Sequence, residues 1–259
     1  MLTKTLSDDR RVLTGWTVGA TLAAVMYASF YPQVSGGQMA EAVAGYPEAM
    51  REAFRLDDLT SAGGYLGSSV FGLILPLIVM FYGTATGARA IAGDEESGRL
   101  DLILAHPISR TRLVLQRFAA LSVGAFVIAV AILLGMLAIR SSAKLTDVTI
   151  TEFAAQCLNL ALLGIVFGAL AIGIGAATGK RALVFTATAG IGVIAYALHS
   201  FAGQLGVEGG RFLSPFHYYI SGEPLKNGIQ WADATVLLTA ALVLVAVGTV
   251  WFNRRDLNA

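Results

Sequence analysis

Charged side chains divide this sequence into long apolar blocks. No Asp, Glu, Lys or Arg occurs from Val12 to Ala40, Leu59 to Ala88, Phe118 to Ile139, Phe153 to Gly179, Ala182 to Val207 or Ala234 to Asn253. A helix needs roughly 20 apolar residues to cross the ~30 Å hydrocarbon core of a bilayer, and each block has room for one. The blocks are too long and too uniformly apolar for half-exposed strands. A backbone in lipid must also satisfy its own hydrogen bonds, so the pattern predicts helices. The expected fold is an all-α integral membrane protein, a single domain over residues 1–259. Its six spans are placed at about 13–31, 66–86, 118–139, 153–178, 182–201 and 234–252.

Lysine and arginine set the expected orientation, because they concentrate in cytoplasmic loops. With the N-terminus inside, the cytoplasmic segments hold twice as many of the 18 basic residues as the outer segments. Both termini are therefore expected in the cytoplasm, as an even number of spans requires. Lys4, Arg10 and Arg11 precede a full-length apolar stretch that lacks a small-residue cleavage site, so the first helix reads as a retained anchor.

Composition agrees with a lipid solvent. Of 259 residues, 56% are hydrophobic and 14% charged, against about 25% charged in soluble domains. A net charge of +1 excludes a strongly basic nucleic-acid binder. The single cysteine, Cys157, excludes an intrachain disulfide and a multi-cysteine metal site, and reads as a small packing residue.

Three segments between spans have their own character. In the first outer segment, Met39, Val43, Tyr46, Met50, Ala53 and Phe54 fall near helical spacing among charges, which fits an interfacial helix or an ordinary loop. The last outer segment carries Ser214-Pro215-Phe216-His217-Tyr218-Tyr219, which fits either a re-entrant element or an aromatic belt. Between spans two and three, Asp94, Glu95 and Glu96 are expected to open a short helix, where the dipole favours carboxylates. Leu100, Ile103 and Leu104 give it an apolar stripe, and Pro107 ends it. Ser109 caps the next helix, which enters the bilayer behind Arg110, Arg112 and Arg117. An apolar face with a charged rim suits docking into a partner's groove. The acidic cluster argues against a helix resting on anionic headgroups.

The run Gly93-Asp94-Glu95-Glu96-Ser97-Gly98-Arg99-Leu100-Asp101-Leu102-Ile103-Leu104-Ala105-His106-Pro107-Ile108-Ser109-Arg110 resembles the cytoplasmic signature of type 2 ABC exporter permeases. Glu95, Glu96, Gly98, Leu100, Leu104, Pro107, Ser109 and Arg110 match it by position. His106 stands where a small or polar residue is expected, and Asp101 where Glu is common. A basic N-terminal segment, a Ser-Pro-Phe run before span six and a terminal Asn-Arg-Arg-Asp-Leu extend the likeness more weakly along the chain. The resemblance implies a coupling helix seated in a cleft of an ATP-binding subunit, with Asp94 and Ile103 added to the docking set. It implies two copies of that subunit, which bind ATP and Mg, and a second permease subunit, identical or not. This chain itself is expected to hold no cofactor. The family exports drugs, antibiotics, lipids, polysaccharides and, in some members, ions. Short outer segments favour a small or amphiphilic cargo over a polymer.

Other motifs are weak or missing. A phosphate loop ending at Gly179-Lys180 would need Gly at position 174 and Ser or Thr at 181, but these are Ile174 and Arg181. ATP hydrolysis must therefore come from another polypeptide. Gly164, Gly168, Gly175 and Gly179 form two Gly-x-x-x-Gly pairs, read as close helix packing in span four. Pro76 inside span two is expected to kink the helix and free a carbonyl. With Pro215 and Phe216 it is a candidate hinge or gate. His199, near the outer end of span five, reads as an interfacial histidine rather than a proton relay. With His106 and His217 the only other histidines, no metal site is expected. A secondary transporter or channel is the rival reading, but such proteins place ionisable residues near the midplane and often show repeats, and this sequence has neither.

Overall fold

The computed structural model describes residues 10–35, 45–53, 61–105, 108–203, 206 and 208–255. Among these residues every regular element is helical. In chain order they are α1 (Arg10–Ala28), α2 (Tyr31–Val34), α3 (Glu48–Ala53), α4 (Ala62–Glu96), α5 (Arg99–Leu104), α6 (Arg110–Ile139), α7 (Ile150–Thr178), α8 (Arg181–Phe201), a 3-10 helix (Glu208–Leu213), α9 (Pro215–Ile220), α10 (Pro224–Asn227) and α11 (Trp231–Arg254). Six of them are long and apolar enough to cross a membrane: α1 with its α2 extension, α4, α6, α7, α8 and α11. These are the six predicted spans, and the chain is all-α. Of the expected interfacial pattern, residues 45–53 are described; Glu48–Ala53 is helical, and Tyr46 and Met50 are exposed. Met39, Val43 and Phe54 lie outside the described residues.

Trp231 and Trp251 mark the thickness of the bundle. Both are exposed on α11, and at 1.5 Å per residue they stand about 30 Å apart, the depth of the hydrocarbon core. Tryptophan favours both interfaces. The end of the bundle at Trp251 also gathers Arg89, Arg110, Arg117, Lys180, Arg181 and Arg255, and is called the basic end below.

Span four, α7, is the axis of the fold. It has 78% of its apolar window inside the bundle, against 44% or less for the other spans. Its glycines explain how backbones come so close. A Cβ added at Gly83 of α4 would lie 2.4 Å from the Gly164 carbonyl oxygen, and one at Gly87 would lie 2.7 Å from the Gly168 carbonyl oxygen. The pair Gly164 and Gly168 therefore packs against a matching pair on α4. On the opposite flank a Cβ at Gly248 of α11 would lie 2.6 Å from the Gly173 Cα. Gly179 does not belong to a packing pair. It takes a left-handed conformation, φ +67°, and closes the C-terminus of α7. Buried Cys157 lies within α7, as expected of a packing residue.

Span two departs furthest from expectation. It was placed at 66–86, but α4 runs on to Glu96. Two stretches of it, Leu66–Ile74 and Arg89–Gly93, are wound as π-helix, a form that recurs at functional sites. Pro76 is the second residue of the α-helical section that follows the first π stretch.

Substituting Gly83→Ala is expected to cost about 1–3 kcal/mol by overpacking. Gly15→Ala and Gly190→Ala, where an added Cβ meets nothing within 4 Å, are expected to be neutral or mildly stabilising. Thermal unfolding of the purified protein in mild detergent distinguishes the two outcomes.

Candidate functional site

Asp94, Glu95 and Glu96 were expected to open a helix. They form instead the last turn of α4, and Gly98 in the left-handed conformation, φ +67°, separates that turn from α5. The correction matters electrostatically. A helix C-terminus is the negative end of the dipole and repels carboxylates, so each of the three must find positive charge elsewhere in the fold.

Each does so on a different element. Asp94 is buried and receives Arg117 of α6 at 2.6 Å and Arg99 at 2.9 Å. Glu95 pairs with Arg255, just past the end of α11. Its carboxylate lies against Gly179, where a Cβ would come within 2.5 Å of an oxygen. Glu96 accepts the backbone N–H of Arg181 at 2.8 Å. That N–H opens α8, so a carboxylate at the negative end of one helix neutralises the positive end of another.

The return limb makes the complementary contact. Ser109 accepts the N–H of Arg112 at 3.2 Å and caps α6. Arg110 donates to the carbonyls of Phe252 at 2.8 Å and Arg255 at 2.7 Å, and its guanidinium lies 5.4 Å from the centre of the Phe252 ring. It thus closes the C-terminal end of α11, where cations are favoured. Asn253 of α11 donates to Thr111 at 3.0 Å. The last turn of α4 is therefore tied to α6, to α8 and to the end of α11 and abuts the cap of α7, and the first turn of α6 is tied to the end of α11.

The apolar stripe of α5 faces inward. Leu100 is 1% exposed, and Ile103 and Leu104 pack on the core. The outward face carries Ser97, Gly98, Arg99, Asp101, Ala105 and Leu102, the last 69% exposed. Ser97 itself donates to the carbonyl of Gly93 at 2.8 Å. His106 and Pro107 lie outside the described residues.

At the far end, Pro215 begins α9, a helix inserted among the spans. Phe216 is buried between Phe167 of α7 and Tyr196 of α8, with ring centroids 5.7 and 5.4 Å away. Phe167 lies past the midpoint of α7, so Phe216 packs well inside the bundle. His199 sits 6.4 Å, ring to ring, from His217. Among the described residues no group of three or more His, Cys, Asp or Glu is placed to hold a metal ion.

A family model described as ABC-2 family transporter protein matches residues 1–257. The chain belongs to that family. No curated protein matches it significantly. It is the transmembrane subunit of an ABC transporter, a multi-pass protein whose family implies an ABC ATP-binding partner. Sequence reasoning about this ABC-2 permease singled out the acidic turn but not its partners. Arg117 and Arg255 are distant in sequence from the carboxylates they neutralise, and no spacing rule connects residue 255 with residue 95.

Asp94→Ala removes a buried partner of Arg117 and is expected to cost about 3–5 kcal/mol. Arg99→Ala, whose side chain is 67% exposed, is expected to cost no more than about 1 kcal/mol. Equal losses in thermal unfolding would contradict this division.

Proposed function

We propose that this permease couples ATP hydrolysis in a separate ABC subunit to outward transport of a small or amphiphilic cargo. The basic end faces the cytoplasm, and both termini lie on that side. Two ATP-binding subunits, which hold the ATP and Mg, serve a pair of permease subunits. The outward face of α5, with Arg99, Asp101, Leu102 and Ala105, enters a cleft of the ATP-binding subunit. Leu100, Ile103 and Leu104 seat the same helix on the bundle, so that motion of the partner is passed on rather than absorbed.

The observation that carries this reading is the set of ties around the acidic turn. Glu95 and Arg110 hold the end of α11, Glu96 holds the start of α8, and Asp94 holds α6. A push on α5 is therefore a push on four spans together. When nucleotide closes the ATPase pair, the cytoplasmic ends of these spans shift as a unit, and cargo at the interface between permease subunits is released outward. In this scheme α5 is the coupling helix, and the acidic residues and Arg110 transmit force instead of touching the ATPase.

Leu102→Asp is expected to release the co-purifying ATPase while leaving the melting temperature of the permease unchanged. Glu95→Lys and Leu104→Asp are expected to release it as well, but with a lowered melting temperature, because both disturb how α5 is seated. Retention of the ATPase in all three variants counts against docking through this segment.

A further inference from the structure

The π stretch of α4 leaves one carbonyl without its ladder partner. Within Leu66–Ile74 the backbone bonds run five residues back, as in the donation from the Leu75 N–H to the Val70 carbonyl. The next donor in that register would be residue 76, bonding to the Phe71 carbonyl. Residue 76 is proline and has no N–H. The structure fills the position from another element, because the Tyr219 hydroxyl of α9 donates to the Phe71 carbonyl at 2.8 Å. Both residues are buried, Phe71 0% and Tyr219 1% exposed.

Two further bonds seat α9. Ser214 donates to the Ala195 carbonyl of α8 at 2.7 Å, and Asn159 of α7 donates to the Tyr219 carbonyl at 3.2 Å. These reach α7 and α8, and the Tyr219 hydroxyl reaches α4. The helix α4 is the one whose opposite end is the acidic turn. Phe71 and Asp94 are about 35 Å apart at 1.5 Å per residue, so one continuous helix joins the docking segment to the seat of α9. Phe216, wedged between α7 and α8, fills the space that would open if α9 withdrew.

We propose that α9 is a gate at the far end of the permease, tethered to span two through the carbonyl that Pro76 leaves unpaired, with Tyr219 as the positioning residue. The gating role rests on the transport reading above. The tether is a property of the fold and stands or falls separately.

The tether is tested with Tyr219→Phe, Pro76→Ala and the double variant, in permease co-expressed with its ATP-binding subunit. Tyr219→Phe is expected to lower the melting temperature by roughly 2–4 °C. In the double variant the new N–H of residue 76 takes the Phe71 carbonyl and recovers most of that loss. Additive losses overturn the tether. Gating is read by labelling Phe216→Cys in a Cys157→Ala background with a membrane-impermeant maleimide, or His217→Cys if loss of the ring unseats α9. Labelling is expected to rise severalfold during ATP turnover with Tyr219 present. It should lose its ATP dependence in Tyr219→Phe and stay uncoupled in the double variant, although stability has returned. ATP-dependent labelling that persists without the hydroxyl overturns the gate, as does labelling that never responds to ATP in a complex with active ATPase.

Discussion

Three carboxylates stand in the last turn of a membrane helix, where the dipole of that helix opposes them. Such a turn is stable only if the rest of the chain supplies cations or helix N-termini to it. In this protein the supply comes from α6 through Arg117, from α8 through the N–H of Arg181 and from the end of α11 through Arg255. The architecture of the basic end follows from that requirement. Helices that are far apart in sequence converge on one turn because each satisfies one of its charges, and Arg110 adds the reciprocal contact at the end of α11.

The converging contacts join to a core that holds its geometry by another means. Apolar side chains gain little by leaving lipid for protein, so helix association there depends on close packing and hydrogen bonds. The glycines of α4, α7 and α11 bring backbones into contact, and α7 becomes the buried axis. Around it, α1 presents Val18, Leu22 and Met26 to the outside, as a peripheral span in lipid does. Displacement at the basic end therefore acts on a tightly packed axis that transmits strain.

The far end repeats the same logic with neutral groups. Buried polar atoms need partners, and the hydroxyls of Ser214 and Tyr219 go to carbonyls of α8 and α4. A short aromatic helix is thereby held at depth between spans, where backbone that does not cross the membrane is tolerated only because protein surrounds it.

The sequence by itself determined the class of the protein. Charge-free blocks long enough to cross a bilayer reveal themselves locally, and so do the acidic, glycine and leucine run and the Ser-Pro-Phe run. The cap at Ser109 and the proline in span two were legible for the same reason, since each acts on its own neighbours. What only the tertiary structure decided is where those residues point. Asp94, Glu95 and Glu96 end a helix rather than begin one, because α4 continues through a π turn that no apolar count reveals. The leucine stripe of α5 turns inward, leaving Leu102 outside, because the bundle offers the nearer apolar surface. Arg255 meets Glu95, and Tyr219 meets Phe71, across separations of more than a hundred residues. Local patterns fix which groups need a partner. Only the packing of the whole chain selects which partner arrives.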